Sequence, residues 1–214
     1  MEILDALNYA SGKKILLAFS GGKDAIATAI YLQENNIQFD SICETSFYFP
    51  EQLKSIKDTA NKLGIDVTYK CSLSDDWLVK NKKLIFSKNS EINKWGYAVR
   101  QQRTVLKHAV ENGYDVTAYG RRTQENNVPK IMYNTKKGIQ FHPLRNHKLD
   151  DVLSMIKNRG IEMPFIYGTT FGKIANNAPF YVLLHATKEH ISINKAWDIC
   201  NEINPIFYQK FGSL

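Results

Sequence analysis

The five residues Ile15-Leu16-Leu17-Ala18-Phe19 form an unbroken apolar run that stops abruptly at Ser20-Gly21-Gly22. A strand with one wet face alternates apolar and polar residues; a run without alternation is a strand buried on both faces, as in sheets covered by helices on each side. The period then changes. Ile26, Ala29 and Ile30 fall at i, i+3 and i+4, and Asp24 suits the N-terminus of a helix, where a negative charge is favoured. A second strand, Gln38 to Glu44, is followed by Pro50 at a first helical position, with Leu53, Ile56, Ala60 and Leu63 on one face and Gly64 as the stop. Ile65 to Lys70 reads as a third strand. The order β-α-β-α-β requires a parallel sheet with right-handed crossovers, so the fold class expected is α/β with a mostly parallel, doubly wound sheet.

Further along, a long helix is expected between about Trp95 and Glu111, with Trp95, Val99, Leu106, Ala109 and Val110 facing inward and Arg100, Arg103 and Lys107 forming a basic stripe. Val116 to Tyr119 is a fourth strand ending at Gly120. Lys130 to Phe141 reads as a hairpin turning at Lys136-Lys137-Gly138, and Leu149, Val152, Leu153 and Ile156 mark another helix. Apolar helical stretches follow around Phe180–His190 and Ile193–Ile203. With 214 residues and no repeat or linker, one domain is expected over 1–214: a core of about 13–167 and a helical C-terminal extension of about 168–214.

The balance of 28 Lys+Arg against 21 Asp+Glu, a net charge of +7, favours an anionic partner such as a nucleotide, nucleic acid or oxyanion without choosing among them. Cys43, Cys71 and Cys200 form no CxxC pair and read as buried free thiols, which argues against a zinc ribbon or a ligated cluster. The N-terminal residues lack a basic region followed by a long apolar one, and no run of about 18 apolar residues occurs, so the expected setting is cytoplasmic, with no membrane. His108, His142, His147, His185 and His190 show no paired metal-ligand spacing and read as surface or satisfied core residues; no residue is assigned to a metal.

Two adjacent glycines after a buried strand let the backbone turn sharply and aim its N–H groups at an anion, the helix N-terminus adds its positive end, and Lys23 adds an exposed full charge. The spacing is that of neither GxxxxGK[ST] nor GxGxxG. The string Ala18-Phe19-Ser20-Gly21-Gly22-Lys23-Asp24 instead resembles the SGGKDS signature of the PP-loop, or adenine nucleotide α-hydrolase, superfamily. Three later stretches are similar to the branch containing phosphoadenosine phosphosulfate reductase and the sulfate adenylyltransferase small subunit. Thr45 to Pro50 looks like D-T-G-x-x-F-P, with Glu44 and Ser46 at the Asp and Gly positions; Gly120-Arg121-Arg122-Thr123-Gln124-Glu125 fits G-x-R-x-x-E; and Pro143-Leu144 resembles the start of P-L-x-x-W-x-x-x-D-V.

The resemblance implies that Ala18 to Asp24, with Glu44, Thr45 and Gly120, form the nucleotide site, that Arg122 faces substrate or phosphate, and that Arg100 is a second anion ligand. Glu125 orients Arg122 or a metal-bound water, or is simply an exposed carboxylate. Glu44 holds magnesium or the ribose, or neither, while Tyr48, Phe49 and Trp95 stack on a base or fill the core. The cofactors implied are ATP, or a related adenine nucleotide, and Mg²⁺. Departures are Ala25 for the final Ser of the signature, Gly96-Tyr97 where iron–sulfur members carry paired cysteines, His147 at the Trp position, and the absence of a C-terminal Glu-Cys-Gly. A sulfonucleotide reductase needs a thiolate, and Cys200, inside an apolar pattern, is a poor one.

The first expectation is therefore attack by an acceptor oxygen on the α-phosphorus of ATP with release of pyrophosphate, Lys23, Arg122 and Glu125 carrying the catalysis. The alternatives are a reductase with a thiol from elsewhere, or a nucleotide-binding module that does not catalyse. The acceptor is unassigned, with nucleic acid and oxyanions both open, as is a homodimer.

Overall fold

In the computed structural model, the described residues are 2–45, 50–72, 103–124, 128, 130–163 and 198. They build a six-stranded sheet in the order β3-β2-β1-β4-β6-β5. The strands are β1 (Ile15–Ala18), β2 (Asp40–Glu44), β3 (Val67–Lys70), β4 (Val116–Ala118), β5 (Met132–Thr135) and β6 (Gly138–Phe141). The first four and β6 run parallel; β5 alone is antiparallel, paired to β6 across a hairpin from Thr135 to Gly138.

The helices are α1 (Ile3–Ala10), α2 (Lys23–Glu34), α3 (Pro50–Leu63), α4 (Lys107–Glu111) and α5 (Leu149–Asn158). β1 explains why both faces are covered. Ile15, Leu17 and Phe19 enter the larger core with Ala6, Ile26, Ile30, Ile56, Val152 and Ile156, from α1, α2, α3 and α5. Leu16, one residue out of step, enters a second core with Ile42, Val105, Ala109 and Tyr119. A two-residue period buried on both sides demands an all-apolar strand, which is what the sequence supplies.

Pro50 opens α3, and Gly64, at φ +64°, ends it. α1 was not expected from the sequence; it buries Ala6, Leu7 and Ala10. At α5 the Lys148 N–H donates to Asp151 Oδ2 at 2.7 Å, and Leu149, at the first helical position ahead of Val152 and Ile156, is 41% exposed.

The expected long helix needs correction where it is described. Val110 is 62% exposed, whereas Val105 is buried beside Leu106 and Ala109. Residues 103–106 form a π-helical turn before α4, and its wider winding rotates the helix face relative to a regular 3.6-residue count. Arg103 and Lys107 are exposed, as expected of the basic stripe. Residues 95–102, including Trp95 and Arg100, and the expected helices around 180–190 and 193–203 lie outside the described residues, apart from Asp198.

Candidate nucleotide site

β1 is flanked by β2 on one side and β4 on the other, so the chain leaves β1 in one direction and returns to its opposite neighbour later. This is the topological switch point, and ligands of open α/β sheets bind there, outside the carboxyl ends of the strands. The loops after β1 and β4 bound that crevice.

Ala18 closes β1, and Phe19 is fully buried with its N–H donated to Ile42 O at 2.9 Å, anchoring the loop to the sheet. Ser20 is exposed, and the Gly22 N–H approaches its Oγ at 3.4 Å. Gly21 has φ +68°, and a Cβ there would collide with Ile56 of α3, so the position admits only glycine on two grounds. Gly22 is the residue before α2, extended at φ −79° and ψ 162°, and no side chain caps the helix. The first intrahelical bond runs from Ile26 N to Gly22 O at 3.0 Å, so the N–H groups of Lys23, Asp24 and Ala25 precede the ladder.

Gly120, after β4, lies against that same turn: a Cβ there would overlap the Asp24 carbonyl and come within 2.9 Å of Ala25 N. From this contact Arg122 reaches Asp24. Its Nε donates to Asp24 Oδ1 at 2.6 Å and its Nη1 to Gln124 Oε1 at 3.2 Å, while Lys23 Nζ donates to Asp24 Oδ2 at 2.7 Å. The result is a Lys23–Asp24–Arg122 chain of alternating charge.

One expectation is corrected by this geometry. Lys23 is not an exposed loop charge but the first residue of α2, with 17% of its side chain exposed and an ion pair to its neighbour. Arg122 projects toward the loop, is 1% exposed and is paired to Asp24. The sequence could place both on one sheet edge; the pairing of Arg122 with Asp24 depends on the approach of the β4 loop to α2, with the two residues 98 apart in the chain.

Glu44 ends β2 on the same edge and is buried, with Oε1 accepting the Ser72 N–H at 3.2 Å; Ser72 in turn shares a hydrogen bond with Thr104. Thr45 donates its N–H to Lys70 O at 2.8 Å. Glu125, Arg100, Tyr48, Phe49 and Trp95 lie outside the described residues. So does Cys200. Cys43 is buried as expected, but Cys71, just past the end of β3, is exposed.

The histidine expectation also changes. His142, just past β6, is fully buried between the rings of Tyr119 and Tyr133, at 5.7 and 5.6 Å, and neither ring nitrogen has a hydrogen-bond partner among the described residues. Burial, reinforced by Arg121 and Arg145, pushes its pKa down to about 4. His147 packs its ring edge-on against Tyr31 of α2 at 5.2 Å.

Adenine nucleotides and Mg²⁺ can be tested against these residues separately. The loop fits a polyphosphate: an uncapped helix N-terminus, glycines packed so that no side chain intrudes, and a lysine at the first helical position. A protein-built metal site fits less well, since Asp24 is already shared by two cations and no cluster of three or more His, Cys, Asp or Glu occurs among the described residues.

A sequence profile of the phosphoadenosine phosphosulfate reductase domain matches residues 14–175, three quarters of the chain. The chain belongs to that family. Phosphoadenosine phosphosulfate reductase-like folding is also what the solved structures show. Phosphoadenylyl-sulfate (PAPS) reductase from Candida auris, in a phosphate complex, superposes with a TM-score of 0.60 at 13% identity, over 78% of this chain and 84% of that one. NMN synthetase from Francisella tularensis superposes with a TM-score of 0.55 at 14% identity, over 97% and 93%. At these identities the likeness shows the fold. No curated protein sequence matches the chain significantly. Among the described residues no helix is long and apolar enough to cross a membrane.

Proposed function

We propose that this family member binds ATP at Ala18 to Asp24 and promotes attack by an acceptor oxygen on the α-phosphorus, releasing pyrophosphate and leaving an adenylated acceptor. The observation that carries the reading is the uncapped start of α2 at the switch point, with Lys23 in its first turn. As the bond from the α-phosphorus to the bridging oxygen breaks, charge grows on the departing pyrophosphate. Loop N–H groups and Lys23 are suited to offset that charge. Mg²⁺ enters on the triphosphate as part of the substrate. Glu44 and Thr45 border the nucleotide from β2, Gly120 permits the close approach of the β4 loop, and Arg122 holds Asp24 in place rather than touching phosphate. Arg100 and Glu125 remain proposed as an anion ligand and as a catalytic carboxylate. The domain assignment, a core of about 13–167 with a C-terminal extension, and a cytoplasmic setting belong to the same proposal.

Incubating the protein with MgATP and a cell extract, while following pyrophosphate and AMP, tests this directly; extract-dependent pyrophosphate release is expected. Lys23→Ala should fold, because Asp24 keeps Arg122, and should bind ATP about tenfold more weakly, the scale of one charge-assisted hydrogen bond. Undiminished ATP affinity in this variant would sink the loop assignment.

The family match itself favours a second reading, reduction of a sulfonucleotide. That chemistry needs an accessible thiolate, and among the described cysteines only Cys71 is exposed. Reduction of adenylylsulfate without ATP turnover, abolished in Cys71→Ser or dependent on an added thiol protein, would establish it. Tight ATP binding with no pyrophosphate release under any condition would instead mark a binding module.

A further inference from the structure

Asp24 places a negative charge beside the lysine that the loop offers to phosphate, and it does not act as a helix cap. Its carboxylate is divided between two cations that differ in freedom. Arg122 is fully buried, tied to Asp24 Oδ1 at 2.6 Å and onward to Gln124 Oε1 at 3.2 Å. Lys23 sits at the helix start on a flexible four-carbon stem, held to Oδ2 at 2.7 Å, with 17% of its side chain open. An incoming phosphate can reach the second cation and not the first.

Building on the reading of residues 18–24 as a nucleotide loop, we propose that Asp24 is an internal competitor for Lys23, anchored by Arg122, that tempers the loop's grip on phosphate and so promotes release. When a polyphosphate arrives, Lys23 moves from Asp24 to the ligand, and Arg122 stays behind to compensate the carboxylate. When the ligand leaves, Lys23 returns. Arg122 in this scheme is a positioning residue: it keeps the competing carboxylate charged and within reach. Every ligand that takes Lys23 forfeits the Lys23–Asp24 bond, so the measured affinity falls short of the intrinsic one by that amount.

The consequence runs opposite to what a carboxylate serving only the loop's architecture would give. Neutralising a structural carboxylate loosens the site and weakens binding, whereas neutralising a competitor strengthens it. Calorimetric titration of ATP and AMP into wild type, Asp24→Asn, Lys23→Ala and the Lys23→Ala/Asp24→Asn double variant decides the matter, with thermal melts confirming folding. Asp24→Asn is expected to bind ATP about two- to fivefold more tightly than wild type, a range set by an ion pair of modest strength in a partly buried place. AMP should gain less, because the ligand that holds Lys23 harder recovers more of what Asp24 withheld. In the Lys23→Ala background the gain should vanish, since there is no ammonium left to compete for.

A folded Asp24→Asn protein that binds ATP equally or more weakly overturns the proposal and leaves the nucleotide reading intact. A gain that persists unchanged without Lys23 also overturns it, assigning the effect to direct repulsion. Wild type that fails to bind ATP overturns both readings together. If Asp24→Asn alone melts below the assay temperature, Asp24→Asn/Arg122→Gln removes both charges of the buried bond and carries the same expectation and the same refutation.

Discussion

His142 lies between Tyr119 and Tyr133 with no hydrogen-bond partner for either ring nitrogen among the described residues, and the positive charges of Arg121 and Arg145 add to the cost of protonating it. The folded protein therefore holds it neutral down to about pH 4, while an unfolded chain takes up the proton near 6.5. Between those values the unfolded state binds more protons, so stability falls as the pH drops from about 6.5 and the loss is complete below the folded value. The loss should amount to a few kcal/mol, since one unit is about 1.4 kcal/mol. Thermal melts from pH 7 to pH 4.5 should show a slope in wild type that His142→Leu, which keeps an apolar side chain of similar bulk, largely removes; parallel profiles would show that His142 does not set it. The position of this histidine beyond a strand end was readable in the chain, but its burial was not. A lone His before Pro143 carries no local mark of the two tyrosines, which arrive from other strands.

At the scale of elements, Gly120 shows how closely the β4 loop and the first turn of α2 are fitted. Any Cβ at 120 meets the Asp24 carbonyl, a backbone atom that cannot swing aside like a side chain. Gly120→Ala should cost about 1–3 kcal/mol, the range for overpacking, and should weaken ATP binding by displacing the turn that carries Lys23. A melting temperature and ATP affinity equal to wild type would mean that the two segments separate easily. The elements were largely legible where burial leaves a periodic trace. β1 through β3, α2, α3 and the β5–β6 hairpin follow from apolar runs, Pro50 and the glycines at 64 and 138. The inward face of the helix through α4 was misread at Val110, because a π-helical turn breaks the period on which such a count depends. The loop was legible for a similar reason, since strand, glycines and helix start are contiguous; the pairing of Arg122 with Asp24 was not, because it depends on β4 lying next to β1.

On the scale of the whole molecule, that adjacency is a matter of order in the sheet rather than order in the chain. β4 pairs with β1 from Ile15↔Val116 to Leu17↔Ala118, and the Lys14 N–H reaches the Asp115 carboxylate from 101 residues away. The proposed nucleotide loop is thus encoded by residues 18–24 but closed by residues 120–124. A fragment ending at residue 113 retains Ser20 to Asp24 and β1 to β3 yet lacks β4, Gly120 and Arg122. It should fail to bind ATP at concentrations that saturate the full chain, and saturable binding by the fragment would show that the first half is self-sufficient. During synthesis the same separation in sequence means that about a hundred residues must emerge after the lysine before its surroundings exist. Contacts of such long range carry a loop-closure cost that slows their formation. If residues 18–24 bind ATP as proposed, a nascent chain passes most of its synthesis unable to engage nucleotide, and occupancy of that loop would report completed folding.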